Sequence, residues 1–229
     1  MKGRMQRFYD SLARPLNGRE RLAVALLVIP LLLSFWVPLW RISMEAPQYP
    51  DGLSMDIYPH TIVGGHDGKD IREINILNHY IGMLPIDRTH LTDLDWMPFA
   101  IGALVLFALR VALIGNGRSL VDLFVLTGYV FTFAFARFVF KLWTYGHDLN
   151  PDAPVKIPGF MPVLFGSKQL ANFTTHSFPQ LGTVFILAFI LGVGVVTVVH
   201  FVWGGRAAKR ATPKTPPVDV GHEHAAAPA

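Results

Sequence analysis

Four long apolar stretches, 22–40, 96–114, 119–140 and 181–203, dominate this chain of 229 residues. A helix rises ~1.5 Å per residue, so about 20 residues cross a hydrocarbon core of ~30 Å. Each stretch is long enough, and together they leave too little chain for a second sizeable soluble core. The expectation is an all-α membrane protein with four transmembrane helices and a small α+β cap built from the outer loops. Composition agrees: 52% of residues are hydrophobic and 16% charged, where soluble domains carry about a quarter charged. A cleaved signal peptide is the alternative for the first stretch. Its 19 residues and the lack of an A-x-A site disfavour that reading. Pro30 and Pro38 are expected to kink this helix.

Basic residues set the expected orientation. Segment 1–21, the turn 115–118 with its flank, and the tail 204–229 hold twelve Lys and Arg against four acids. Loops 41–95 and 141–180, counted from 42 and 142, hold five basic residues and eleven acids. The positive-inside rule then places both termini in the cytoplasm and both long loops in the periplasm of a bacterial inner membrane. The sequence pI of about 9.5 is thus a topology signal, with the lipid bilayer rather than nucleic acid as the partner. Cysteine is absent, which removes disulfides, thiolate nucleophiles and Cys-ligated metal centres. Asp122 and Arg137, inside the spans, read as snorkelling side chains near the helix ends. Gly102, Ala103, Gly182, Gly192 and Gly194 read as contact points between helices.

The outer loops carry the pattern that points to chemistry. Leu53, Met55 and Ile57 alternate as in a strand, and 61–63 returns as a second. Asp70-x-x-Glu73 resembles a capping box, followed by Ile71, Ile74, Leu77 and Ile81 at helical spacing. Gly82 and Pro85 end that helix. Asn75, His79 and Met83 follow at i, i+4, i+8, a stripe opposite the apolar face. Imidazole and thioether one turn apart suit Cu(I), which takes soft sulfur and nitrogen donors. The candidate metal set is His79 and Met83, completed from His147 or Met55. The bland readings are a His79 bonded to backbone or headgroup and a Met83 packed beneath the cap. In the second loop, Ser167 is expected to cap a short helix through Phe173. His200 has no second intramembrane histidine for a haem, and His222-x-His224 lies in a tail read as disordered. Asn172-Phe173-Thr174 is a formal glycosylation sequon, read as chance in a bacterial chain. With no P-loop, GxSxG, HExxH or GxGxxG, the chain is not expected to be an enzyme.

The motifs Ala46-Pro-Gln-Tyr49-Pro-Asp-Gly-Leu53 and Leu77-Asn-His79-Tyr-Ile-Gly-Met83 resemble a bacterial four-span membrane family. Tyr145-Gly-His147-Asp-Leu-Asn-Pro151 and Gly166-Ser-Lys-Gln-Leu-Ala-Asn-Phe173 fit it too, so the resemblance covers roughly residues 40–180. Its members are often encoded near copper-chaperone lipoproteins of the NosL type in nitrous oxide reductase clusters. The resemblance implies Cu(I) handling at the periplasmic face for such a cuproenzyme, with a copper chaperone or the cuproenzyme as partner. It carries over Tyr49, His79, Met83 and His147. The competing reading is a structural or assembly subunit of a membrane complex that binds no metal. A small-solute permease is a third, weakened by the lack of an internal repeat.

Overall fold

The computed structural model describes residues 6, 9, 11–170 and 173–211. Lys2, Arg4, Arg7, Asp10, Lys214, Asp219 and Glu223 of the charge count lie outside the described residues. So do Asn172 of the sequon, the tail histidines His222 and His224, and residues 212–229 of the expected disordered tail.

Helix α1 (Gly18–Leu33) starts at Asn17, whose backbone N–H donates to the Glu20 carboxylate at 2.8 Å. Its end is abrupt. The Ser34 amide returns to the Pro30 carbonyl at 3.1 Å, and the Phe35 and Trp36 amides tighten onto Leu32 and Leu33, both at 3.1 Å. Pro38 then prevents the helix from resuming. The 16 residues of α1 rise about 24 Å, short of a ~30 Å core. By Trp40 the chain is extended, as β1 (Trp40–Ala46).

This overturns the four-span, all-α expectation. Three helices are long and apolar enough to cross a membrane: α3 (Asp93–Ile114), α4 (Gly117–His147) and α5 (Leu181–Ala211), the last through Val202. The apolar run 22–40 misleads because its final third is a turn and the start of a strand. At one end of the helices stands a five-stranded antiparallel sheet. Its other strands are β2 (Tyr49–Ile57), β3 (Ile62–Gly64), β4 (Gly166–Leu170) and β5 (Phe173–Pro179), in the order β3-β2-β1-β5-β4. Ser167 therefore begins no helix; it sits in β4, opposite His176.

Strand β1 is central, pairing with β2 from Trp40↔Ile57 to Ala46↔Tyr49 and with β5 from Trp40↔Pro179 to Glu45↔Thr174. Successive side chains on a strand point to opposite faces. One face therefore carries Ile42, Met44, Leu53 and Met55 toward the helices. The other carries Ser43, Ser54, His176 and Ser167. Helix α2 (Asp70–Ile81) lies against β2 and β3, with Ile74 buried together with Leu53, Ile86 and Tyr145.

The helices have their own core, in which Val24, Val28 and Leu31 of α1 meet Ala108 and Val111 of α3, Leu120 and Leu123 of α4, and Phe189 and Val193 of α5. Helices α1 and α5 come together at Gly192, where a Cβ would lie 2.3 Å from the Leu27 side chain. Gly102, by contrast, has open space around it. At the end away from the sheet, the Leu16 amide donates to the Gly115 carbonyl at 3.3 Å and the Gly117 amide to the Arg14 carbonyl at 2.9 Å. All four of these helices thus run between the sheet and this second end.

Burying Ile74 contributes ~1.5–3 kcal/mol, and a carboxylate in its place would also have to be desolvated. Ile74→Asp is expected to make the segment 49–86 cleavable by protease in detergent while α3 and α4 stay resistant. An unchanged digestion pattern would contradict the packing of α2.

Candidate functional site

The site is a cavity of about 190 Å³ between the apolar face of the sheet, α2 and the sheet-proximal ends of α3 and α4. Its walls are almost entirely carbon and sulfur. Met44, Met55, Met83, Met97 and Met161 all line it. With Met1 and Met5 outside the described residues, these are all the described methionines. Met44 and Met55 reach it from neighbouring strands: Met55 stands opposite Ile42, two residues from Met44 on the same face.

Helix α2 closes one side and is fastened at both ends. At its start, Asp70 and Glu73 do not form the expected capping box. The N-cap residue is Lys69, and no side-chain cap bond forms. Asp70 is buried and spends its carboxylate on tertiary bonds, one to the Ser54 amide and one to His66 Nδ1, each 2.8 Å. Glu73 accepts the Tyr49 hydroxyl at 2.8 Å. That charge-assisted bond, with burial adding, holds the Tyr49 phenol pKa above its ordinary value. His66 and Asp67 adopt left-handed backbone (φ 48° and 59°) in the turn that brings the His66 ring to Asp70. Non-glycine residues pay for that conformation, so the Asp70 bonds oppose a local strain.

At the other end, Gly82 takes φ 79° and the helix closes with the Met83 amide on the Asn78 carbonyl at 2.8 Å and the Gly82 amide on His79 at 3.3 Å. This paired closure is a Schellman motif. A Cβ at Gly82 would lie 2.8 Å from the Asn150 carbonyl oxygen, so the second loop lies directly across the helix end. The Asn150 amide donates to Gly82 at 2.8 Å and the Val155 amide to Tyr80 at 2.9 Å.

The four candidate ligands do not meet. The Schellman turn swings Met83 off the helical stripe and under the cap, where it packs with Met44, Met55 and Leu77 around Leu53 and Ile74. His79 stays exposed on α2. Asn75 leaves the stripe too, holding Ile86 through two bonds of 2.7 and 3.2 Å. His147 is exposed in the last turn of α4, stacked on Trp143 with ring centroids 4.5 Å apart. Met55 and Met83 thus share the cavity, and neither histidine lines it. Among the described residues, no group of three His, Asp or Glu side chains is placed to hold a metal ion.

Three arrangements escape a reading of the sequence. Met44 and the strand that carries it adjoin an apolar run, and only the alternation of Ile42, Ser43 and Met44 hints at a strand. Arg137, expected to snorkel alone, forms a two-pronged ion pair with Asp93 at 2.8 and 3.1 Å, and Trp96 donates to the same carboxylate at 2.9 Å. At the far end of the helices, fully buried His200 meets Glu20 at 2.9 Å. Each pair is 44 or more residues apart, beyond the reach of any periodicity.

Four polar side chains that line the cavity bond to main-chain carbonyls. Asn78 donates to Leu84, Tyr145 to Pro85, Lys141 to His90 and Lys168 to Met161. Comparison with protein families, with curated proteins and with solved structures finds no match to this chain.

Asp70 joins the cavity's lid to the sheet, and removing a buried acceptor costs ~1–3 kcal/mol. Asp70→Ala is expected to lower stability by about that amount and to speed hydrogen exchange at the Ser54 amide. Exchange at Ser54 as slow as in the parent would show that the carboxylate does not fasten α2.

Proposed function

We propose that this chain is a membrane-anchored accessory protein that binds an apolar ligand within its outer cap and catalyses no reaction. The observation that carries the reading is the partly open, carbon-walled cavity between sheet, α2 and the helix ends. Apolar walls with few polar groups suit ligand binding, and at about 190 Å³ the cavity takes a segment of an alkyl chain. Methionine adapts its shape readily and is favoured on surfaces that accept varied apolar partners. Arg14, Arg19, Arg21, Arg110 and Arg118 lie at or near the end of the helices away from the sheet, which supports a cap on the periplasmic side of a multi-pass inner-membrane protein, with both termini cytoplasmic.

A second reading is Cu(I) handling for a periplasmic cuproenzyme, with a copper chaperone as donor. The five thioethers facing one cavity favour it, because neutral sulfur donors select Cu(I). In that version the ligands are Met44, Met55 and Met83, and His79 and His147 take no part.

One set of samples separates the two: parent, His79→Ala, Ile74→Trp, and the triple Met44→Leu, Met55→Leu, Met83→Leu. Hexadecanol in phosphatidylcholine nanodiscs is expected to protect the cap of the parent from protease, and the bulkier Ile74→Trp to abolish that protection. No protection of the parent would sink the apolar-ligand reading. In a chelator competition for Cu(I), the copper reading expects the triple variant to bind at least tenfold more weakly, ~1.4 kcal/mol, and His79→Ala to match the parent. A parent that withdraws no Cu(I) removes the copper reading.

A further inference from the structure

The position of the cavity along the helices limits what can reach it. On α4 the lining runs from Ala134 and Phe138 to Lys141 and Tyr145, and on α3 from Asp93 to Met97. These are the sheet-proximal ends of two helices that are long and apolar enough to cross a membrane. Trp96 packs on Phe133 and Trp40 on Phe138 of α4, with ring centroids 5.2 and 5.1 Å apart, beside the lining stretch, and indole rings mark the headgroup region of a bilayer. The cavity therefore begins at the depth of acyl chains and ends beneath the sheet. The most abundant apolar molecules at that depth are those of the surrounding leaflet.

Charge narrows the class further. Two ammonium groups, Lys141 and Lys168, line the same cavity. The nearest carboxylate on α3, Asp93, is taken by the two-pronged pair with Arg137. Lys141 instead donates to the His90 carbonyl at 2.6 Å, and Lys168 to the Met161 carbonyl at 3.0 Å. Neither forms an ion pair among the described residues. Lys141 is half-buried and Lys168 exposed, so both ammoniums border the apolar cavity with no carboxylate among the described residues in contact to neutralise them. An anion supplied by a ligand would complete them at little cost, because both ammoniums keep bonding capacity beyond one carbonyl.

We propose that the cavity takes an anionic single-chain amphiphile from the surrounding leaflet, its chain among the methionines and its headgroup at Lys141 and Lys168. This rests on the apolar-ligand reading and adds to it the source and charge of the ligand. The chain gains by contact with adaptable thioethers and asks for no hydrogen bonds, since Asn78 and Tyr145 already donate to main-chain carbonyls.

The test uses the full chain in phosphatidylcholine nanodiscs, photolabelled with diazirine-bearing palmitate or with its uncharged counterpart, diazirine-bearing hexadecanol. Labelling at the exposed Leu106 and Leu113 of α3 reports ordinary lipid contact in every sample. Palmitate is expected to label peptides within 70–86 and 134–145, to be displaced by excess oleate, and to label several-fold less in the double variant Lys141→Gln, Lys168→Gln. Hexadecanol should label parent and double variant alike, which also shows that the variant keeps its cavity. Equal labelling of parent and double variant by palmitate would overturn the anionic headgroup and leave the apolar-ligand reading standing. If neither probe labels these peptides in the parent, the inference and that reading fall together.

Discussion

The antiparallel pairing of β1 with β5 is the contact on which the rest of the structure depends. It joins the strand that leaves α1 to the strand that enters α5, with paired residues 129 to 139 positions apart in sequence. Around the junction the contacts are dense. Trp40 donates its indole N–H to Ser177 at 2.7 Å, and the Gln180 and Gly182 amides donate to the Leu39 and Pro38 carbonyls, each at 2.9 Å. The Thr183 hydroxyl adds a bond of 2.5 Å to Leu39. Once these two strands are joined, β2 and β4 have edges to pair with and the sheet has an apolar face to cover. Without that pairing, α2 would have no surface on which to bury Ile74.

The two ends of the helices solve different problems. At the far end, the N-terminal segment, the turn between α3 and α4 and the His200–Glu20 pair pack closely, and a Cβ at Gly117 would lie 2.8 Å from His200 Nε2. Close packing of that kind leaves no room for a ligand. At the sheet end, the strands and helix ends meet around long flexible side chains, and α2 is held by its buried Ile74 and by hydrogen bonds at its two ends. A lid held at its ends over adaptable methionines can admit a guest with little rearrangement of the sheet.

What was legible in the sequence is what local pattern encodes. The apolar stretches later found as α3, α4 and α5, the alternation in β2, and the period of Ile71, Ile74, Leu77 and Ile81 in α2 all reflect side chains choosing between water and an apolar surface. Local pattern and fold diverge at one junction. Residues 34–40 are as apolar as a helix, yet Ser34, Pro38 and the pairing of Trp40 make them a turn and a strand. Hydropathy cannot see a partner strand more than 130 residues away. The candidate site was half legible for the same reason. Met55 and Met83 belong to the cavity, but Met83 arrives there through the left-handed Gly82 and not through the helical stripe. Met44, Met97 and Met161 come together only through tertiary packing. Asp70 looked like a helix cap because its spacing to Glu73 is right, whereas its carboxylate is claimed by Ser54 and His66.

The central claim is that the cap encloses a ligand taken from the membrane. Native mass spectrometry of the full chain, released from its own membrane in mild detergent, tests this directly. The account predicts that the parent retains a single anionic amphiphile and that Ile74→Trp, with the cavity filled, is released bare. A parent that emerges bare, or one that carries copper and no amphiphile, would contradict it.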